Sequence, residues 1–155
     1  MFRLGSIWVS TRPITCRQPS PASLAALLAT LDDLKKPDAY RRLFELGDYL
    51  RQQLDEILAR TGVPAQAAGF GSIWLPYFFK GGYRCYEDLL ANDDRLDLAF
   101  RQAMVARRYI SQPLPLKRLY LSLAHTRAIV DEALDDIEVI LKDLARPSAL
   151  REAVA

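Results

Sequence analysis

A chain of 155 residues, half of them hydrophobic and about a quarter charged, has the length and composition of one ordinary globular domain that buries a core without covalent staples. Its net charge of +2 sets up no field that would draw in nucleic acid or an anionic membrane, and no apolar run approaches the ~20 residues of a membrane span. Two cysteines, Cys16 and Cys85, and a single histidine, His125, exclude a disulfide framework and a His/Cys metal centre.

Residues 1–19 read as irregular, punctuated by Pro13 and Pro19. Met1–Leu31 holds three arginines and no acidic residue, a composition shared with transit peptides. Ser20–Leu34 already reads as a core helix, however, so the segment is taken as a basic start with no targeting role. Ile7-Trp8-Val9 is too short for a secretory signal. The chain is therefore expected in the cytoplasm.

Ser20-Pro21 is an N-cap followed by proline at the first helical position. Leu24, Leu27, Leu28, Leu31 and Leu34 follow at helical spacing. A helix so poor in charge is expected to be buried on most of its circumference or to meet another subunit. Pro37-Asp38 opens a second helix, with Leu43, Leu46, Gly47, Leu50, Leu54, Ile57 and Leu58 on one face. Arg41, Glu45, Asp48, Arg51 and Asp55 are expected to face water. Gly47 lies on the stripe, where a missing side chain admits a neighbouring element. Thr61-Gly62-Val63-Pro64 stops that helix.

Ala65–Ala68 and Ser72–Phe79 read as strands, with Pro76 marking an edge strand or a break. Tyr83–Leu90 reads as a loop with a short helical turn. Asn92-Asp93-Asp94 starts a helix expected to end near Arg108, with Leu96, Phe100 and Met104 on its apolar face. Pro113 and Pro115 keep Tyr109–Leu116 extended. Leu119–Leu123 is the last strand. Thr126 caps a final helix whose stripe runs from Ile129 to Leu144. The order is that of an α+β fold: a small, mainly antiparallel sheet packed with helices.

Few side chains invite a chemical role. His125 stands at a strand–helix junction, where a lone histidine more often closes local hydrogen bonds than acts as a base. Neither cysteine has a histidine close in sequence for a nucleophilic pair. Asp32-Asp33, Asp93-Asp94 and Asp135-Asp136 sit side by side on helices, where neighbours point ~100° apart, so they read as solvated surface. Gly69-x-Gly71 and Gly81-Gly82 are too sparse for a phosphate loop. The aromatic run from Phe70 to Tyr86 lacks the interleaved basic residues of a nucleic-acid platform and reads as core or subunit contact. No residue is a catalytic candidate by these criteria.

Several segments, in order, resemble class III aminotransferases. Ser20-Pro21-Ala22-Ser23-Leu24 through Ala29-Thr30-Leu31 resembles the Asn-Pro-led helix of that family. Leu46-Gly47 with Leu50 resembles its Leu-Gly-x-x-Leu, and Gly71-Ser72-Ile73-Trp74 with Phe78-Phe79 its Gly-Ser-Met strand. Tyr86-Glu87-Asp88 and Phe100–Met104 resemble the next loop and helix. Ser122-Leu123-Ala124-His125-Thr126 is similar to the junction before the last helix, especially in the glutamate-1-semialdehyde aminomutase branch.

The resemblance implies the C-terminal domain of a fold-type I enzyme that uses pyridoxal phosphate (PLP). Residues 1–19 would then be the end of a large domain, 20–146 the C-terminal domain and 147–155 a mobile tail. The family's Schiff-base lysine lies upstream of the Asn-Pro helix, and its Gly-rich phosphate loop and pyridine-nitrogen aspartate have no counterpart here. The chain alone is thus expected not to catalyse amino transfer. The resemblance implies one cofactor contact, from a threonine before the Asn-Pro helix to the phosphate in a neighbouring subunit. Cys16 stands there in ungapped register and Thr15 one residue earlier, so Thr15 is the candidate. A homodimer, or a partner chain that supplies the large domain, is the expected assembly. The alternative is a non-catalytic oligomerisation or docking module, with no nucleic acid or membrane involved.

Overall fold

Helix formation in the middle of the chain follows directly from its apolar spacing. In the computed structural model, which describes residues 20–146, Leu43, Gly47, Leu50, Leu54, Ile57 and Leu58 all lie on the buried face of a 23-residue helix. The chain divides into two compact units, Met1–Lys36 and Pro37–Ala155.

The first unit holds helix α1 (Pro21–Leu34). Ser20 Oγ accepts from the Ser23 amide at 3.1 Å, and Pro21 occupies the first turn, where its missing N–H costs nothing. No residue of α1 is buried. Leu24, Leu27, Leu28 and Leu31 are 44, 52, 61 and 39 % exposed. Among the described residues of this unit, nothing covers the leucine stripe.

The second unit begins with α2 (Ala39–Thr61). It ends at Gly62, whose φ of +72° is the left-handed cap that glycine adopts without a Cβ penalty, and its N–H bonds Leu58 O at 3.1 Å. Strands β1 (Gln66–Ala68), β2 (Ile73–Tyr77) and β3 (Leu119–Tyr120) form an antiparallel sheet in that order. Gln66 pairs with Tyr77 and Ala68 with Leu75; Ile73 pairs with Tyr120 and Trp74 with Leu119. β2 is thus the central strand yet contains Pro76. The proline is tolerated because β3 reaches only as far as Trp74, so β2 has one neighbour at that point. β3 itself is shorter than the expected strand Leu119–Leu123, although Leu121 N–H still bonds Ser72 O at 2.8 Å.

A short 3-10 helix (Glu87–Ala91) precedes α3 (Asp94–Ala106). Asp93 caps α3 by accepting from Arg95 and Leu96 N–H, while its own N–H bonds Phe78 O at 2.9 Å. Helix α4 (Arg127–Leu144) starts where Thr126 Oγ1 accepts from Ile129 N–H at 3.3 Å. α4 packs against α2 and α3, and the sheet packs on α2. Phe78, Phe100, Leu54, Ile137 and Leu141 form the centre of the core.

The two faces of α2 are less cleanly divided than its sequence predicts. Arg51 does not face water. Its Nη1 donates to Gly71 O and Ile73 O, both at 2.9 Å, and its side chain is 13 % exposed. Asp55 accepts from Ala67 N–H at 2.7 Å on β1. Both side chains tie the sheet to the helix, and both residues look like ordinary solvated positions in the sequence.

The end of α3 carries a conformational cost. Arg108 has φ +69°, a conformation that costs a residue with a Cβ about 1–2 kcal/mol. Two backbone bonds offset it, Arg108 N–H to Val105 O at 2.9 Å and Tyr109 N–H to Met104 O at 3.0 Å. These are the two bonds of a Schellman cap, here built around arginine in place of the usual glycine.

Candidate functional site

The junction from β3 to α4 is a tight turn closed by its histidine. His125 N–H bonds Ser122 O at 3.1 Å, and Ser122 N–H donates to His125 Nδ1 at 3.0 Å. An acceptor Nδ1 leaves the ring proton on Nε2. Ser122 Oγ lies 2.9 Å from the same nitrogen. His125 therefore works as a turn-closing residue, and it lines a cavity on each side of the junction.

The first cavity, about 310 Å³, lies between α2 and the start of α4 and is lined by Arg42, Glu45, Tyr49, Ser122 and Arg127 among others. Part of its charge is already engaged, whereas the side chains of Arg42 and Glu45 enter no ion pair among the described residues. The Arg127 guanidinium stacks 3.8 Å from the Tyr49 ring centre, and Tyr49 donates to Asp131 at 2.6 Å. That hydrogen bond is the main reason the Tyr49 phenol is raised above its ordinary pKa.

The second cavity, about 490 Å³, is bounded by the sheet, the end of α3 and α4. Trp74, Met104, Leu121 and Val130 give it apolar walls. Arg108 and Arg118 also line it, and among the described residues neither guanidinium enters an ion pair. Ser111, 8 % exposed, lines the same cavity, and its hydroxyl has no hydrogen-bond partner among the described residues. An apolar chamber with two unengaged guanidinium groups suits a small organic anion.

Tyr109, also on this wall, donates to Asp136 Oδ2 at 2.7 Å, and Arg107 Nε stands 3.4 Å from the other oxygen. The Tyr109 phenol is pushed up to about 12, first by burial, then by the bond to Asp136 and the charges of Asp136 and Glu132, against the pull of Arg107. A raised pKa stabilises the fold in full below the ordinary value near 10, and that contribution is lost as pH climbs to about 12. Urea midpoints are expected to fall across that window, with the Tyr109 ring resonances titrating above pH 10. Titration of Tyr109 at the ordinary tyrosine value would contradict the geometry.

One group within this region was hidden in the sequence. Asp97 and Arg101 are both fully buried and paired, Arg101 Nε to Asp97 Oδ1 at 2.6 Å. The i,i+4 spacing was the available signal, but the same spacing is commonplace on solvated helix faces.

Thr15 and Cys16 lie outside the described residues. Cys85 is free and exposed. Among the described residues, no cluster of three or more His, Cys, Asp or Glu side chains is placed to hold a metal ion, and no helix is long and apolar enough to cross a membrane. The lysines do not fit an imine with PLP. Lys35, Lys36, Lys80, Lys117 and Lys142 are all exposed; Lys35, Lys36 and Lys142 pair with Asp32, Asp33 and Glu138, and none of the five lines either cavity. A Schiff-base lysine needs a desolvated site that lowers its pKa.

No known family profile matches the chain. Individual relatives do. Glutamate-1-semialdehyde 2,1-aminomutase of Thermus thermophilus is 32 % identical over 117 residues, 75 % of this chain and 27 % of that enzyme. A β-phenylalanine aminotransferase from Variovorax paradoxus superimposes with a TM-score of 0.59 at 32 % identity, over 64 % of this chain and 23 % of that one. A glutamate-1-semialdehyde aminomutase from Pseudomonas aeruginosa PAO1 shares the fold, with a TM-score of 0.68 at 20 % identity over 80 % of this chain and 27 % of that one. The chain thus spans about a quarter of the length of the relatives it matches. Over that span it is a homologue of the C-terminal portion of class III aminotransferases of the glutamate-1-semialdehyde aminomutase type.

Proposed function

We propose that this chain forms the small-domain side of a PLP-dependent amino-acid aminotransferase or aminomutase, and that its cavity of about 490 Å³ receives a carboxylate. The observation that carries the reading is the pair Arg108 and Arg118, both exposed, lining a largely apolar chamber. Glutamate-1-semialdehyde and β-phenylalanine, named for the relatives, are both amino acids that bear a carboxylate. PLP in such enzymes supplies the electron sink for amino transfer. No described side chain of this chain fits the imine-forming role, so that lysine is assigned to a large domain outside these residues, and Thr15 is at most a phosphate contact. The chain by itself is inactive in this reading.

The test is a titration of the purified chain, followed by amide NMR, with 3-phenylpropionate and with its uncharged amide. Saturable shifts at cavity residues are expected with a Kd of roughly 1 mM, and weakening of about tenfold for the amide. Equal binding of both compounds, or none at the cavity, would overturn the carboxylate reading. In a parallel sample with PLP, a lysine-dependent imine absorbance would overturn the assignment of the lysine elsewhere.

A second reading, a docking or self-associating module, is favoured by one observation, the open leucine stripe of α1. A mass that rises with concentration in light scattering supports it. A strict monomer across the concentration range counts against self-association.

A further inference from the structure

Arg108 and Arg118 sit at opposite ends of a segment with no regular secondary structure until β3 begins at Leu119. The α3 cap holds Arg108 and sheet pairing begins only at Leu119, so the residues between belong to neither helix nor sheet. The segment is instead held from beneath by the buried pair on α3. Asp97 Oδ2 accepts from Leu116 N–H at 2.7 Å. Arg101 Nη2 donates to Lys117 O at 2.7 Å, and Nη1 lies 3.5 Å from Gln112 O. The held residue Leu116 has φ +58°, a left-handed conformation that a leucine seldom adopts unless its surroundings impose it. Asn92 completes the anchor, with Nδ2 on Asp94 at 2.9 Å and near Asp97 at 3.5 Å, and Oδ1 accepting from Phe78 N–H at 2.9 Å.

Such a pair is a poor device for stability alone, because desolvating two charges offsets much of their attraction. Its geometry is specific in another way. The planar guanidinium spends one edge on Asp97 and the other on the carbonyl immediately before Arg118. A rigid fork from a rigid helix thereby sets where the following residue stands.

We infer that Asp97 and Arg101 are positioning residues that hold the Arg108–Arg118 segment in register over the cavity, so that its charge is presented to an incoming carboxylate. This rests on the carboxylate reading of the same cavity. It adds that the selectivity for a charged ligand is set by two side chains that never touch it.

Arg101→Lys separates position from charge. Lysine can still answer Asp97 but lacks the fork that reaches Lys117 O and Gln112 O. The expected result is a loss of about tenfold in 3-phenylpropionate affinity, the size of one charge-assisted hydrogen bond, with binding of the uncharged amide unchanged. The carboxylate-to-amide ratio therefore collapses, which a general loosening of the domain would not produce. Amide exchange at Leu116 and its neighbours should accelerate while α4 amides keep their protection.

Unchanged selectivity together with unchanged exchange in Arg101→Lys would overturn the inference. If the wild type shows no binding of 3-phenylpropionate, the cavity reading fails. The positioning role is then judged on exchange alone, and is overturned if the segment does not loosen. If Arg101→Lys does not fold, the wild-type Leu116 amide decides. Protection comparable to α3 core amides supports the anchor, and exchange at free-loop rates overturns it.

Discussion

Replacing Arg101 by methionine is expected to destabilise the domain by about 3–5 kcal/mol, the usual consequence of stranding one member of a buried ion pair. Asp97 has no exposed surface. Without Arg101 its carboxylate keeps the Leu116 amide and the more distant Asn92 amide, but loses the one counter-charge within salt-bridge distance among the described residues. The carbonyl of Lys117 loses its donor as well. A small domain has a total stability of only about 5–15 kcal/mol, so this variant should unfold at much lower urea. The joint variant Asp97→Leu with Arg101→Met should cost less than the sum of the two single changes, because no charge is left buried alone. Strict additivity in urea denaturation would show that the two side chains are not coupled, and would sink the account of the pair.

Gly47→Ala is expected to cost about 3 kcal/mol, at the upper end of ordinary overpacking. A Cβ built on Gly47 falls 1.8 Å from Gly71 O. The obstacle is backbone, and it has little freedom to withdraw. Gly71 O receives Arg51 Nη1 at 2.9 Å, and Gly71 itself has φ +56° with the Phe44 ring packed against it. The helix and the turn before β2 would have to separate by more than an ångström. Gly82→Ala is the control, since nothing lies within 4 Å of its Cβ; its effect should stay within about 0.5 kcal/mol. Thermal unfolding distinguishes the two. A Gly47→Ala variant as stable as Gly82→Ala would mean that α2 and the turn are not in the close contact described.

These two sites also mark how far the sequence could be read. Gly47 was legible because it interrupts a leucine stripe of period 3.6, and a gap in such a stripe has a simple geometric meaning. The same periodicity made α2 and α4 legible, and Ser20, Gly62, Asp93 and Thr126 marked helix ends through local hydrogen bonds. Asp97 and Arg101 were not legible. A polar pair on a helix normally faces solvent, and its burial here depends on a segment more than ten residues downstream that returns over it. The cavity was hidden for a related reason. Arg108 belongs to a helix cap and Arg118 to a strand approach, and only the fold brings both to one wall. Arg51 was misjudged because it stands at the edge of the apolar stripe, four residues after Gly47, where its long side chain reaches the sheet.

Pro76 has a consequence beyond its own strand. Where sheets end, unpaired main-chain donors invite a strand from another molecule and, with it, aggregation. Pro76 carries no N–H to offer. On β1, opposite it, the Ala67 N–H is already taken by Asp55. The outer side of β3 is two residues long and follows directly on Lys117 and Arg118, a length and charge that discourage pairing. The sheet is thus closed to recruitment at each of these points, which discourages a second polypeptide from joining it by strand pairing there.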